Sequence, residues 1–443
     1  MATGVTSSDA PADSTPDTSP LRIHNFRAYL VARFSMIVGQ YAMMLIIGWQ
    51  TYTIARGNGL NAFEASGQLA LIGLLQFLPL FVLSPFSGLA ADRFNRKTVS
   101  RLTIGLQFLG AGYLAWTTYT GHIDLTALFS VAVLLGVVRA FNGPALSALA
   151  PNLVPKAILP NAIALSSIAW QTGMIVGPAV GGYAYDAMPA LPYAIASGLF
   201  LVSIIAISTI GKVPRSPITG AQRPIGQVID GWKYVLHNKM VLGAITLDLM
   251  AVFLAGATAL FPPFAYDILK VGETGLAQLA AAPAIGAAVT ALWFSFRPLR
   301  TNVGPKMLWA VAAFGVATIV FGFSRFMPLS LAMLVIVGAA DMFSVYIRQS
   351  LIQLHTPDDK RGRVSSASLL TISASNEGGD AFSGFLASVI GPAGAVIFGG
   401  VGAIVTVAMW SRIFPVLRHT RTFDPPASLQ EETPEQTLQE KIP

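Results

Sequence analysis

The 443-residue chain contains no cysteine, which excludes a disulfide framework, thiolate metal ligands and a cysteine nucleophile. Charge is also scarce. Asp, Glu, Lys and Arg make up 11% of the residues against 53% hydrophobic, and the mean hydropathy is +0.62. A soluble domain carries roughly 25% charged residues, so a chain of this composition would precipitate from water. The five histidines, His24, His122, His237, His355 and His419, fall outside the long apolar runs or at their edges, which leaves no histidine relay and no embedded metal cage. No Gly-x-Ser-x-Gly elbow and no appended signalling domain are found either, which argues against a membrane enzyme or sensor. The net charge of +7 comes from basic residues that punctuate apolar runs without forming a continuous patch. They read as determinants of membrane topology, and no nucleic-acid partner is implied.

What the sequence does have is long apolar runs. Twelve of them, near 29–55, 66–91, 99–120, 124–148, 161–184, 191–211, 241–264, 275–296, 307–325, 328–353, 364–389 and 393–414, are each long enough to cross a hydrocarbon core of roughly 30 Å as a helix. The first twenty residues, rich in Ser, Thr, Asp, Ala and Pro, lack an apolar core and read as a disordered tail, not a signal peptide. Residues 212–239 form a polar, basic connector with Lys212, Pro214, Arg215, Pro217, Arg223, Pro224, Lys233 and Lys239. The organisation that follows is a tail (1–25), a six-helix bundle (26–211), a linker (212–239), a second six-helix bundle (240–414) and a polar tail (415–443) that turns acidic from Glu431 and is expected to be disordered. Of the 28 Lys and Arg, Arg56, Lys270 and Arg325 fall in loops on one side, Arg139 falls within a span, and the rest lie on the other side. The positive-inside rule then puts both termini in the cytoplasm.

Shifting the sequence by 202 residues aligns Gly136 with Gly338, Pro155 with Pro357, Ser166 with Ser368, Gly177 with Gly379 and Gly182 with Gly384. These matches land at the same places in spans four and five and in spans ten and eleven, as two parallel repeats would require.

The densest charge is Gly88-Leu-Ala-Ala-Asp92-Arg93-Phe-Asn-Arg96-Lys97, wedged between spans two and three. Gly-x-x-x-Asp-Arg-x-x-Arg-Lys resembles the loop signature of the major facilitator superfamily, with Gly88, Asp92, Arg93, Arg96 and Lys97 at its defining positions. The second half keeps only Arg297, Pro298, Arg300 and Lys306 of its own copy. The resemblance implies an all-α integral membrane protein with 12 transmembrane helices in two pseudo-symmetric bundles, a substrate site between them and the charged loop as a conformational latch. Asp92 is then expected near the start of span eleven. Span five carries Gly173-x-x-x-Gly177-Pro178-x-x-Gly181-Gly182, similar to the motif of the superfamily's antiporter branch. Glycines at this spacing let a neighbouring helix approach closely and proline bends the helix, which suits a gating element; ordinary small-residue packing would use the same residues.

A charge at the bilayer centre costs at least about 2.5 kcal/mol, so embedded ionisable residues are functional candidates. Arg139, in Arg-Ala-Phe-Asn142-Gly-Pro-Ala, resembles the superfamily's span-four arginine. It cannot release a proton near neutral pH and acts either as a fixed charge for an anion or carboxylate, or in a structural ion pair. Asp341 in span ten is its counterpart under the 202-residue shift. Glu377 and Asp380 in span eleven are three apart, hence neighbours on a helix face. Two carboxylates so placed cannot both ionise cheaply, which makes them proton-coupling candidates; a capping or pairing role for Asp380 is the alternative. Asp248 in span seven is a further candidate. Gln40, Tyr41, Trp49 and Gln50 could form part of a substrate wall or serve as packing and interfacial anchors, and Asn142 with Arg139, Gln40 and Tyr41 completes the substrate-binding set.

Three segments resemble the enterobactin-exporter-like branch: Phe26-Arg27-Ala28 with Ala32-Arg33-Phe34, Thr356-Pro357 with Gly362-Arg363, and Gly379-Asp380-Ala381. The resemblance implies a proton-driven exporter of a siderophore-like or other amphipathic small molecule in a bacterial inner membrane. It implies a monomer that needs no cofactor beyond the proton gradient. Glu377 is an acid the branch does not lead one to expect. A multidrug efflux antiporter shares all these features and stays open, and an importer is disfavoured by the span-five motif.

Overall fold

In the computed structural model, residues 19–423 are described, apart from 94, 148, 150–151, 156–157, 212–223, 257 and 298. The chain forms the helices α1 (His24–Gly57), α2 (Ala62–Arg93), α3 (Arg96–Tyr119), α4 (Leu125–Ser147), α5 (Leu159–Ala187) and α6 (Leu191–Thr209). A linker helix α7 (Pro224–His237) follows, then α8 (Lys239–Leu254), α9 (Gly272–Phe296), α10 (Val303–Phe323), α11 (Met327–Leu354), α12 (Asp358–Ile390), α13 (Pro392–Ile413) and a short α14 (Pro415–His419). Eleven of the twelve apolar runs are single helices within about six residues of their expected ends, and the seventh, expected at 241–264, is helical only to Leu254 before it breaks. Ten spans are long and apolar enough by composition alone to cross a membrane. The two others, α3 and α12, are diluted by their charged first turns and, in α12, by Ser, Asn, Glu and Asp.

Local chemistry sets the boundaries. Asn61 and Glu64 form a reciprocal capping box at the start of α2, both bonds 2.9 Å. The side chains of Asn95 and Asn238 accept backbone N–H bonds at the starts of α3 and α8, and Asp124 does so for α4. The seventh span is the exception to regular helix. After Leu254 the α-helix stops, a tight turn covers Thr258–Leu260, Pro262 and Pro263 follow, and a wide π-type turn, Phe264–Ile268, reaches the far membrane face. Pro262 and Pro263 lack the N–H donors that would bond to the Thr258 and Ala259 carbonyls, so the helical ladder is not restored through this stretch.

Both bundles reuse the same contacts, which gives the 202-residue repeat a physical meaning. A methyl placed on Gly136 would fall 2.4 Å from the Gln76 carbonyl of α2, and one on Gly338 would fall 1.8 Å from the Pro283 carbonyl of α9. Gly177 abuts Val38, Tyr41 and Ala42 of α1, and Gly379 abuts Val252 and Phe253 of α8. Gly182 and Gly384 reach across to the opposite bundle, Gly182 against Glu273 and Ala277 of α9 and Gly384 against Ala70 of α2. The first bundle has its own core around Phe26, Tyr29, Ile46, Tyr193 and Phe200. On the face opposite the termini, Trp49 of α1 is buried in a shared cluster with Leu260, Phe264 and Phe321 of the second bundle. Close approaches of α2 and α12 continue this seal, with Gly67 facing Ser388, Ala70 facing Gly384 and Gly73 facing Ala381.

Within the linker, α7 docks on the second bundle, where Val235 is buried with Val241, Ile245, Ile352 and Val364. One expectation about the connecting segments is corrected. The tail expected to be disordered from 415 is helical at Pro415–His419, and its backbone continues across α10, with the Arg421 carbonyl accepting from the Val303 N–H and the Thr420 carbonyl from the Gly304 N–H.

Candidate functional site

Halfway along the bundles, α4 from the first repeat and α12 from the second bring Arg139 and Glu377 together in an ion pair. Glu377 is buried, so the pair joins the two halves where a lone carboxylate would be poorly solvated. The Tyr41 hydroxyl of α1 lies within electrostatic reach of both partners. Asp380, one helical turn beyond Glu377, is within reach of Arg139. Its Oδ1 accepts the Ala259 backbone N–H at 3.3 Å, at the break in the seventh span. The arrangement is one permanent cation, two carboxylates and a phenol contributed by α1, α4 and α12, with one carboxylate tied to an interrupted helix. One Arg139 nitrogen, Nη1, is buried without a partner, leaving donor capacity for a further acceptor.

Other candidates divide. Asp341, half-buried on α11, makes no ion pair among the described residues, and the carboxylate that meets Arg139 is Glu377. Asp248 of α8 is paired with Arg348 of α11, both buried. Asn142 is buried inside the first bundle, where its amide donates to Met36 Sδ at 2.8 Å and its oxygen accepts from Thr103 at 3.4 Å. Gln40 accepts from Gln107 at 3.5 Å, Gln50 accepts from the Tyr193 hydroxyl at 2.8 Å, and Trp49 belongs to the far-face seal. On α5, Gly173, Gly177 and Gly181 pack against Ile37 to Ala42 of α1, Pro178 sits inside the helix, and Gly182 faces α9. The side chains of Asp92 and Arg93, and the surroundings of Gly88, lie outside the described residues. Arg96 opens α3, and the Lys97 ammonium donates to the Ser208 carbonyl at 3.2 Å and to that of Ile210, tying α3 to α6 within one bundle. Among the described residues no group of three or more His, Asp or Glu could hold a metal ion.

Two groups of paired residues escape the sequence reading. Arg348, included there among the Lys and Arg of the cytoplasmic side, is nearly two turns inside α11 and buried; an embedded Asp248 requiring a counter-ion was the available signal. On the face opposite the termini, Arg56 at the end of α1 bridges to Asp267 of the second bundle at 3.0 Å. The Tyr52 hydroxyl donates to the other oxygen of Asp267, and Tyr266 meets Trp49 and Tyr52 edge-on at 5.8 and 5.9 Å. Both charged residues look like loop punctuation in the sequence, because nothing local says that they meet.

Comparisons with known proteins agree with this architecture. A family described as transmembrane secretion effector matches residues 15–442. The enterobactin exporter EntS of Escherichia coli O1:K1 / APEC is 25% identical over 387 residues, 86% of each chain, and that of Citrobacter koseri is 26% identical over 388 residues, again 86% of each. Among solved structures, the nucleoside transporter NupG superposes with a TM-score of 0.68 at 11% identity, covering 88% of this chain and all of that one. A bacterial homolog of the human lysosomal transporter Spinster gives 0.66 at 15% identity, covering 90% and 97%.

Proposed function

Because the chain belongs to the transmembrane secretion effector family, and is a multi-pass inner-membrane transporter with the major facilitator fold, we propose that it exports a siderophore-like or other amphipathic small molecule in exchange for protons. The observation that carries the reading is the Arg139–Glu377 pair, which spans the two bundles at mid-membrane. Arginine keeps its charge at every accessible pH, so the titrating partner is the carboxylate. With Glu377 ionised, the pair holds α4 to α12. The cargo binds the ionised pair, with acceptor groups on the unpartnered Nη1 of Arg139 and donor groups on Glu377; a proton on Glu377 removes the acceptor those donors need and favours release, and loss of that proton restores cargo binding. Asp380, beside Glu377 and bonded to the interrupted seventh span, passes the change in charge to a segment that can move. Proton and cargo thus compete for one carboxylate, which supplies the difference in affinity that exchange requires.

The far-face seal of Trp49, Tyr52, Arg56 and Asp267 fits a cytoplasm-facing state with the outer side closed, taking both termini as cytoplasmic. The glycine contacts of Gly182 and Gly384 are the surfaces that separate when the outer side opens. A monomer contains all these parts. Enterobactin, the cargo in the relatives' names, is the first compound to test. In inverted vesicles with an acid interior, adding it should release protons, read as recovery of a quenched acridine dye, and this release should vanish in Glu377→Gln. Cargo uptake that is independent of the pH gradient in the wild type would overturn the reading.

A further inference from the structure

Arg33 lies ten residues into α1. With Ile37, Gln40, Tyr41, Met44 and Gly48 it follows the three- and four-residue spacing of one helix face. Gly48 of that face approaches Pro262 of the second bundle, and Tyr41 neighbours Arg139 and Glu377. Arg33 precedes Tyr41 by two turns, roughly 12 Å toward the termini at 1.5 Å per residue, on the side away from the far-face seal. Its guanidinium is held on two sides. Nη1 donates to the Tyr29 hydroxyl at 2.8 Å, which is itself fixed 3.3 Å from Ser166 Oγ of α5. The guanidinium carbon lies over the Trp170 ring of α5, 5.3 Å from its centroid.

Three other arginines, Arg56, Arg139 and Arg348, each meet a carboxylate. Arg33 meets none among the described residues. Its Nε is buried with no hydrogen-bond partner, and its Nη2 makes no bond among the described residues. The free Nε and Nη2 form the edge of the guanidinium that offers two parallel N–H bonds to a carboxylate. Beside it, Trp170 is 38% exposed, an apolar plane next to an unpaired, pre-oriented fork.

We propose that Arg33, positioned by Tyr29 and Trp170, is an entry site that captures a carboxylate on an aromatic or otherwise planar cargo before it reaches Arg139. This rests on the transporter reading and adds a cargo class to it: a planar organic acid. Guanidinium geometry favours the two oxygens of a carboxylate over a neutral amide of the same shape, and the exposed indole gives the attached ring a surface to lie against.

The test uses the full chain in phosphatidylcholine nanodiscs, with 2-naphthoate and its neutral isostere 2-naphthamide as probes, titrated calorimetrically at neutral pH. The wild type should prefer naphthoate by about tenfold. Arg33→Gln should abolish the preference, and Arg33→Lys, which keeps the charge and loses the fork, should retain only a small part of it. Unchanged thermal unfolding and elution of the Lys variant guard against simple misfolding. Equal or absent binding of the two probes to the wild type, or a preference that survives Arg33→Gln, overturns the proposal. So does complete loss of the naphthoate signal on adding phosphatidylglycerol, which would make the site a lipid headgroup site. Failure here would leave gradient-driven transport through Glu377 intact, whereas failure of the transporter reading would abolish that transport and leave the binding preference.

Discussion

Arg56 and Asp267, 211 residues apart in sequence, meet at 3.0 Å on the face opposite the termini. They close the first bundle against the second with Tyr52 as a third partner. A charge-assisted hydrogen bond at a partly exposed position contributes about 1.5–3 kcal/mol, enough to shift a two-state equilibrium by tenfold or more. Asp267→Asn should therefore open this face. The natural absence of cysteine makes a single Ser388→Cys reporter clean, and its labelling by an impermeant maleimide should rise about tenfold in the Asp267→Asn background. Unchanged labelling would show that the apolar seal closes this face without the ion pair.

The paired glycines separate folding from gating. Gly338 lies against the Pro283 carbonyl within one bundle, so Gly338→Ala forces backbone apart inside a folded unit and should lower the thermal midpoint strongly. Gly182 lies against Glu273 and Ala277 across the bundle interface. Gly182→Ala should leave unfolding nearly unchanged and raise labelling of the same Ser388→Cys reporter. Equal loss of stability in both variants would contradict this division.

Asp248 and Arg348 are both buried, and neither has a second ionic partner among the described residues. Removing one member of such a pair leaves a naked charge, at a cost of about 3–5 kcal/mol. Asp248→Asn should lower stability by that order, and Asp248→Leu with Arg348→Met should recover most of it, as measured by thermal unfolding in detergent. Stable single variants with lost transport would instead give Asp248 a role in coupling.

His355, just beyond α11, is held below its ordinary pKa by burial, partly offset by its bond to the Leu351 carbonyl. Its own carbonyl accepts from Tyr234 of the linker helix at 2.8 Å. The fold therefore favours the neutral ring. Stability from this contact is full above the unfolded value of about 6.5 and falls as acid forces protonation. Hydrogen exchange over residues 232–238 should accelerate between neutral pH and about pH 5 beyond the intrinsic change in exchange rate, and His355→Gln should remove the excess. Acceleration that persists in His355→Gln would assign it elsewhere.

Much of this architecture is legible in the sequence because membrane spans are written in composition: twelve apolar runs, their polar gaps and the 202-residue repeat define two bundles before any contact is known. The central charges are legible for the same reason, since ionisable residues are rare there. Their pairing is not. The repeat points from Arg139 to Asp341, whereas the helices bring Glu377 to it, because pseudo-symmetry relates positions between bundles and not the faces that meet across them. Arg33, Arg56, Asp267 and Arg348 escape for a second reason: near helix ends, a charge that packs and a charge that merely solvates a loop have the same sequence signature.

The central claim, that Glu377 is the proton-sensitive partner of Arg139, is tested most directly without cargo, by following the distance between spin labels placed on Ala62 and Val389 as pH is varied. Ionised Glu377 holds the pair and its protonation releases it, so the distance distribution should shift with falling pH in the wild type. It should sit at the low-pH distribution at every pH in Glu377→Gln. A Glu377→Gln protein that follows the same pH curve as the wild type would place the titrating group elsewhere and contradict the account.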